Sequence, residues 1–224
     1  MRKAESKILP QLYLLWATVV ISITFLKGGL NNDNITHLII LGIFGGSLFI
    51  FKFLKPRRPK IFFIFSCVIL AASVEGAYMI SKPVLSSLLL KDKFTLVQFI
   101  HNYSIDLFLT IPVYFLIFWI IWKLINKFNY SKWEYIILIA LGQAVGDSGN
   151  FFLIQPTLLL FIPYIMINYH AMNVAPFLRI ENFLNDIPKS QSKWKYLVTI
   201  LAIFCSYFFG GVFIKIVAST FNIN

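Results

Sequence analysis

Seven apolar runs of 17–24 residues, joined by short connectors, leave this chain few folds to choose from. They lie at about 8–26, 35–54, 61–81, 103–122, 133–149, 151–169 and 196–219. In hydrocarbon every backbone N–H and C=O must be paired, so such runs become helices or the strands of a closed barrel. These runs are continuously apolar and do not alternate, which argues against the barrel. A soluble domain carries about 25% charged residues, whereas this chain carries 13%, against 58% hydrophobic. The expected fold is an all-α, polytopic integral membrane bundle of about seven helices, one domain over residues 1–224.

The run 133–149 is the short one. As a helix its 17 residues reach about 25 Å, less than a hydrocarbon core of about 30 Å. It meets the next run at Gly146-Asp147-Ser148-Gly149-Asn150, ordinary turn chemistry. Six spans plus a hairpin that either crosses or re-enters is therefore the expectation. The segment 84–101 mixes leucines with Lys91, Asp92, Lys93 and Gln98 and suits an interfacial helix. The first run lacks a small-residue cleavage pattern and reads as an uncleaved span.

The net charge of +11 does not form a free basic stripe, so no nucleic-acid partner is expected. The cations sit at the ends of the runs. With the N-terminus in the cytoplasm, fifteen Lys and Arg fall on the inner side and four on the outer, with Lys215 inside the last run. That bias places the chain in the cell membrane with the N-terminus inside. Cys67 and Cys205 lie in apolar runs and form no CxxC. His37, His101 and His170 are scattered without HxxxH or HExxH, so neither a metal nor a cofactor is expected.

Polar residues inside the runs mark the candidate site, because intramembrane charge needs a partner, water or a function. In this orientation Glu75, Asp106, Asp147 and Lys215 all fall in the outer half of the membrane. Asn102, Asp106, Thr110 and Tyr114 step by four along one helical face, and Gln143, Asp147 and Asn150 follow i, i+4, i+7. Gly142 and Gly146, like Ala71, Ala72, Gly76 and Ala77 around Glu75, let a neighbouring helix approach closely. Glu75, Asp106 and Asp147 are the candidate acid–base residues. Tyr78, Asn102, Thr110, Tyr114, Gln143, Asn150 and Lys215 are candidate contacts to a substrate. Simpler readings exist for two of them: Lys215 snorkelling to the headgroups, and Asp147 capping a turn. Asn168, His170 and Asn173, in the motif Pro163–Asn173, are placed near the inner headgroups, where an aromatic belt with polar helix ends explains them most simply.

Three resemblances stop short of a family. Gly146-Asp147-Ser148-Gly149 is similar to the GxSG of rhomboid-type intramembrane proteases, which need a histidine on a later facing helix; the last run has none. Lys215 in the last of seven helices resembles a retinal lysine, without any rhodopsin motif around it. Glu75-x-x-Tyr78-x-x-x-x-Pro83 followed by Asp106 is similar to the spacing in integral-membrane terpene cyclases. This chain lacks that family's tryptophan before the glutamate and its acid in the last span.

Three functions accommodate these residues. The first is an intramembrane acid–base enzyme acting on a lipid or isoprenoid-like apolar substrate, with Glu75 as acid. The second is a small proton- or cation-coupled carrier, and the third a non-catalytic assembly subunit whose polar residues bind helix to helix. Membrane lipid is the expected partner in each. Nothing in the residues fixes an oligomeric state.

Overall fold

The computed structural model describes residues 8–91, 93–185 and 188–223, and for residues 9 and 149–153 the backbone alone. Among these, the chain forms seven α-helices and no strand: α1 (Ile8–Gly28), α2 (Asn32–Phe51), α3 (Pro59–Tyr78), α4 (Leu96–Lys127), α5 (Lys132–Ile154), α6 (Ile162–Asn185) and α7 (Lys195–Thr220). Six segments are long and apolar enough to cross a membrane: Pro10–Gly28, Asn32–Phe51, Pro59–Tyr78, Leu96–Lys127, Pro156–Asn185 and Lys195–Thr220. The chain is a membrane-spanning helical bundle.

Local signals set the helix ends. Asn31 starts α2 by accepting from the Asn34 amide (2.8 Å), and Thr95 starts α4 by accepting from the Gln98 amide (3.2 Å). Ser131 and Glu134 form a reciprocal capping box at α5: Glu134 Oε2 accepts from the Ser131 amide at 2.7 Å, and Ser131 Oγ accepts from the Glu134 amide at 3.2 Å. Gly29 ends α1 with a positive φ of 60°, a conformation open to glycine at little cost.

Two expectations change. The segment 84–101 is not one interfacial helix; it divides into a 3-10 turn at Ser86–Leu88 and the beginning of α4. The loop around that turn folds back on itself, with the Leu90 amide donating to the Met79 carbonyl (3.0 Å) and Met79, Leu88 and Leu90 buried together. Gly146–Asn150 is not a turn either. α5 runs through it to Ile154, and the break falls at Gln155-Pro156, where proline removes an N–H. Its 23 residues extend about 35 Å, enough to cross the core.

α6 is the axis of the bundle. It packs against α1, α2, α3 and α5, and residues Met166–Phe177 are all buried. Asn168, His170 and Asn173 are thus in the interior and not at headgroups: α6 continues to Asn185, which moves its end away from them. α7 packs against α4 and α5.

The basic ends of the helices are clasped. Lys195 Nζ donates to both Glu134 carboxylate oxygens and to the Asn129 carbonyl, each at 2.8 Å. The Asn129 amide and Ser190 carbonyl (3.1 Å), with the Ser190 amide and Lys127 carbonyl (3.0 Å), join the α4–α5 connector to the α6–α7 connector. The side chains of Lys195 and Glu134 are 10% and 22% exposed. Removing one partner of a fully buried pair costs about 3–5 kcal/mol. Lys195→Met is therefore expected to cost about 1–3 kcal/mol here, read as a lower melting temperature in detergent. The double variant with Glu134→Gln should recover part of that loss; a double variant no better than Lys195→Met would show that the ion pair is not what is lost.

Candidate functional site

α3, α4, α7, α5 and α6 close into a ring, each packed on the next, with α6 returning to α3. Small residues bring the walls together. A Cβ on Gly142 would lie 3.2 Å from Ile203 Cδ1, and one on Gly146 would lie 3.0 Å from Tyr207 Cβ, so this face of α5 is where α7 approaches. On α3, a Cβ on Gly76 would touch the Tyr103 ring of α4 at 3.4 Å. The small-residue stripes do what their spacing predicts.

Polar side chains from all five helices line the interior of this ring. Glu75 on α3 accepts a hydrogen bond from the Tyr114 hydroxyl on α4. Asp147 Oδ2 on α5 accepts from Tyr169 on α6 at 2.8 Å. Gln143 Nε2 donates to Tyr207 Oη on α7 (3.1 Å), and its carbonyl oxygen accepts from Asn173 Nδ2 on α6 (2.7 Å). Asn173 Oδ1 accepts in turn from Tyr135 (3.0 Å). At the end of α3, Tyr78 meets the Asn168 amide.

Glu75 neighbours both other acids. Glu75 lies within Coulombic range of both Asp106 and Asp147, and Tyr78, Tyr114 and Tyr207 lie within range of both Glu75 and Asp147. Among the described residues no lysine, arginine or histidine lies against any of the three acids. Ionising carboxylates inside the bundle without a neighbouring cation is costly.

Their surroundings differ. Asp106 is fully buried; its Oδ1 accepts from the Val84 amide of the folded-back loop (3.0 Å), while Oδ2 has no partner. Glu75 is 8% exposed. Asp147 is exposed, with its Oδ2 held by Tyr169.

No family model, curated protein or solved structure matches the chain. The geometry therefore carries the functional reading alone.

The other candidate residues divide. Tyr78 and Tyr114 bond within the ring, as Gln143 does. Thr110 Oγ1 donates to the Asp106 carbonyl (2.9 Å) and so follows the backbone of its own helix. Asn102 Nδ2 donates to the Leu88 carbonyl (2.9 Å) and holds the folded-back loop. Lys215 is exposed on α7 and has no carboxylate partner among the described residues, so it is not a counter-charge to the cluster. The side chain of Asn150 lies outside the described residues. Ser148 has no histidine beside it among the hydrogen bonds of the described residues. No group of three metal-ligating side chains occurs among them either.

Asn173, expected near the inner headgroups, joins the site from the interior of α6 instead. Tyr169, Tyr207 and Tyr135 join it without having been singled out from sequence. Asn173 is the joint between α5 and α6, so Asn173→Leu leaves the Gln143 carbonyl oxygen and the Tyr135 hydroxyl without a partner. An orphaned buried group costs about 1–3 kcal/mol. The variant should melt measurably lower in detergent than Asn173→Gln, and equal melting would show the network to be structurally neutral.

Proposed function

We propose that the chain is a small proton-coupled membrane carrier whose proton-binding element is the cluster of Glu75, Asp106 and Asp147. The observation that carries this reading is a set of acids inside the bundle with no cation against them among the described residues, Glu75 bonded by the Tyr114 hydroxyl and Asp147 by the Tyr169 hydroxyl. Buried acids without a cation need a proton or a bound cation, and tyrosine hydroxyls both donate and accept, which suits proton exchange. Asp147 supplies the accessible member, and Glu75 and Asp106 the enclosed ones. With the basic end in the cytoplasm, the cluster faces the outer half of the bilayer.

The acid–base enzyme uses the same acids but needs room beside them for an apolar substrate. Glu75 and Asp147 already hold tyrosine hydroxyls from neighbouring helices, which favours exchange of a proton over work on a large substrate.

The test is proton uptake by proteoliposomes under an imposed pH gradient. Uptake above protein-free vesicles supports the carrier. A co-purifying lipid product that disappears in Glu75→Gln, with no uptake by the wild type, would replace it with the enzyme. Neither activity would leave an assembly subunit.

A further inference from the structure

At the basic end, remote from the carboxylates, the α2–α3 connector and the last turns of α6 border an open pocket of about 340 Å³. Lys55, Arg57 and Arg179 line it, with Asn182 as a neutral donor and Ile180 and Phe183 as apolar wall. We propose that this pocket is a binding site for the phosphate headgroup of an anionic phospholipid.

Four observations support it. Arg179 donates through Nε to the Leu54 carbonyl, which fixes the guanidinium plane and leaves its terminal N–H groups for a ligand. Among the described residues none of the three cations is paired with a carboxylate. α3 begins at Pro59, which also lines the pocket, and Arg58 gives it no side-chain cap, so first-turn N–H groups are available to an anion. The pocket lies just beyond Phe51 and at Pro59, the ends of two candidate spans, which is the depth of lipid headgroups.

The opposing term is the C-terminal end of α6, equivalent to about half a negative charge. Three full cations outweigh it. The mixed lining also distinguishes a lipid from a free ion: phosphate takes the cations, while the exposed Phe183 meets the glycerol and first methylenes. Pro56 and Pro59 stiffen the connector, so Lys55 and Arg57 are held in place before the lipid arrives.

The experiment uses the full chain purified in mild detergent. Lipid retention is read by native mass spectrometry, and thermal shift is read with phosphatidylglycerol, phosphatidylcholine or inorganic phosphate added. Phosphatidylglycerol should be retained and should raise the melting temperature, and phosphatidylcholine should not. Arg179→Gln and Arg57→Gln should each lower retention about fivefold, the effect of roughly one surface cation on an anionic lipid. Arg57 is exposed, so its variant reports even if Arg179→Gln folds poorly. Lys132→Gln with Lys193→Gln, exposed at the same end but outside the pocket, should leave retention unchanged. An equal loss there would reduce the effect to general attraction and overturn the site. So would no preference for phosphatidylglycerol, or an equal shift from inorganic phosphate, which would make the ligand the free ion.

Discussion

Glu75→Gln proteoliposomes are expected to take up protons about a hundredfold more slowly than wild type, or not at all, since a positioned acid–base group contributes on that order. Glutamine keeps the shape of glutamate and can still meet the Tyr114 hydroxyl, so packing is preserved. What it loses is the exchangeable proton. Its melting temperature should match or exceed the wild-type value, because the substitution removes a carboxylate from the neighbourhood of Asp106 and Asp147. Loss of uptake with unchanged melting would assign the proton to Glu75. Unchanged uptake would remove Glu75 from the path and leave Asp106 and Asp147 to be tested by the corresponding asparagines. Tyr114→Phe deletes the one hydrogen bond to Glu75 among the described residues and keeps the acid. It should slow uptake less and move its pH dependence, a change that a purely structural tyrosine would not cause.

The largest expected structural effect comes from a residue with no polar atom in its side chain. A Cβ added at Gly210 of α7 would lie 2.3 Å from Val113 Cγ1 of α4, far inside contact distance. Val113 is buried at 8% exposure and β-branched, so its χ1 cannot easily turn away. Alanine gains about 1 kcal/mol of helix propensity over glycine. Overpacking a tight contact costs about 1–3 kcal/mol, and here the helices must separate to accept it. Gly210→Ala should therefore destabilise, and Gly210→Leu should prevent recovery of folded protein from the membrane. Val113→Ala is the internal check: combined with Gly210→Ala it should restore the melting temperature. No rescue would mean that the α4–α7 contact is not what limits packing. Because α4 and α7 are two walls of the carboxylate ring, the rescued pair should also regain proton uptake.

Much of the site was legible, and its limits are instructive. Glu75 stood out as an acid inside an apolar run, although α3 ends at Tyr78 and so places it in the last turn, and the stepped face Asp106–Thr110–Tyr114 did place Tyr114 toward Glu75. Lys215 looked the same by depth but is exposed on α7. Depth follows from position along a helix, whereas direction depends on the face: on α7 Thr199, Ser206 and Gly210 mark the buried side, and Lys215 lies off it. Gly146–Asn150 misled for a different reason. In water Gly-Asp-Ser-Gly-Asn is a turn, because solvent satisfies the freed backbone groups. Inside the membrane those groups pair with each other, and helix becomes the default even through glycine. That continuity carries Asp147 to Tyr169 in place of a loop tip.

By itself the amino-acid sequence determined that this chain is a helical membrane protein, roughly where its spans lie and which acids enter them. Each of those facts is local, since a run of about 20 apolar residues is unstable outside lipid whatever its neighbours are. Only the tertiary structure decided that α6 is the axis, that α5 and α7 meet along Gly142 and Gly146, and that Tyr114 meets Glu75 and Tyr169 meets Asp147. Between helices in lipid there is no hydrophobic drive to choose a face. Close packing at small residues and the pairing of every buried polar group make that choice, and both depend on residues far apart in the chain.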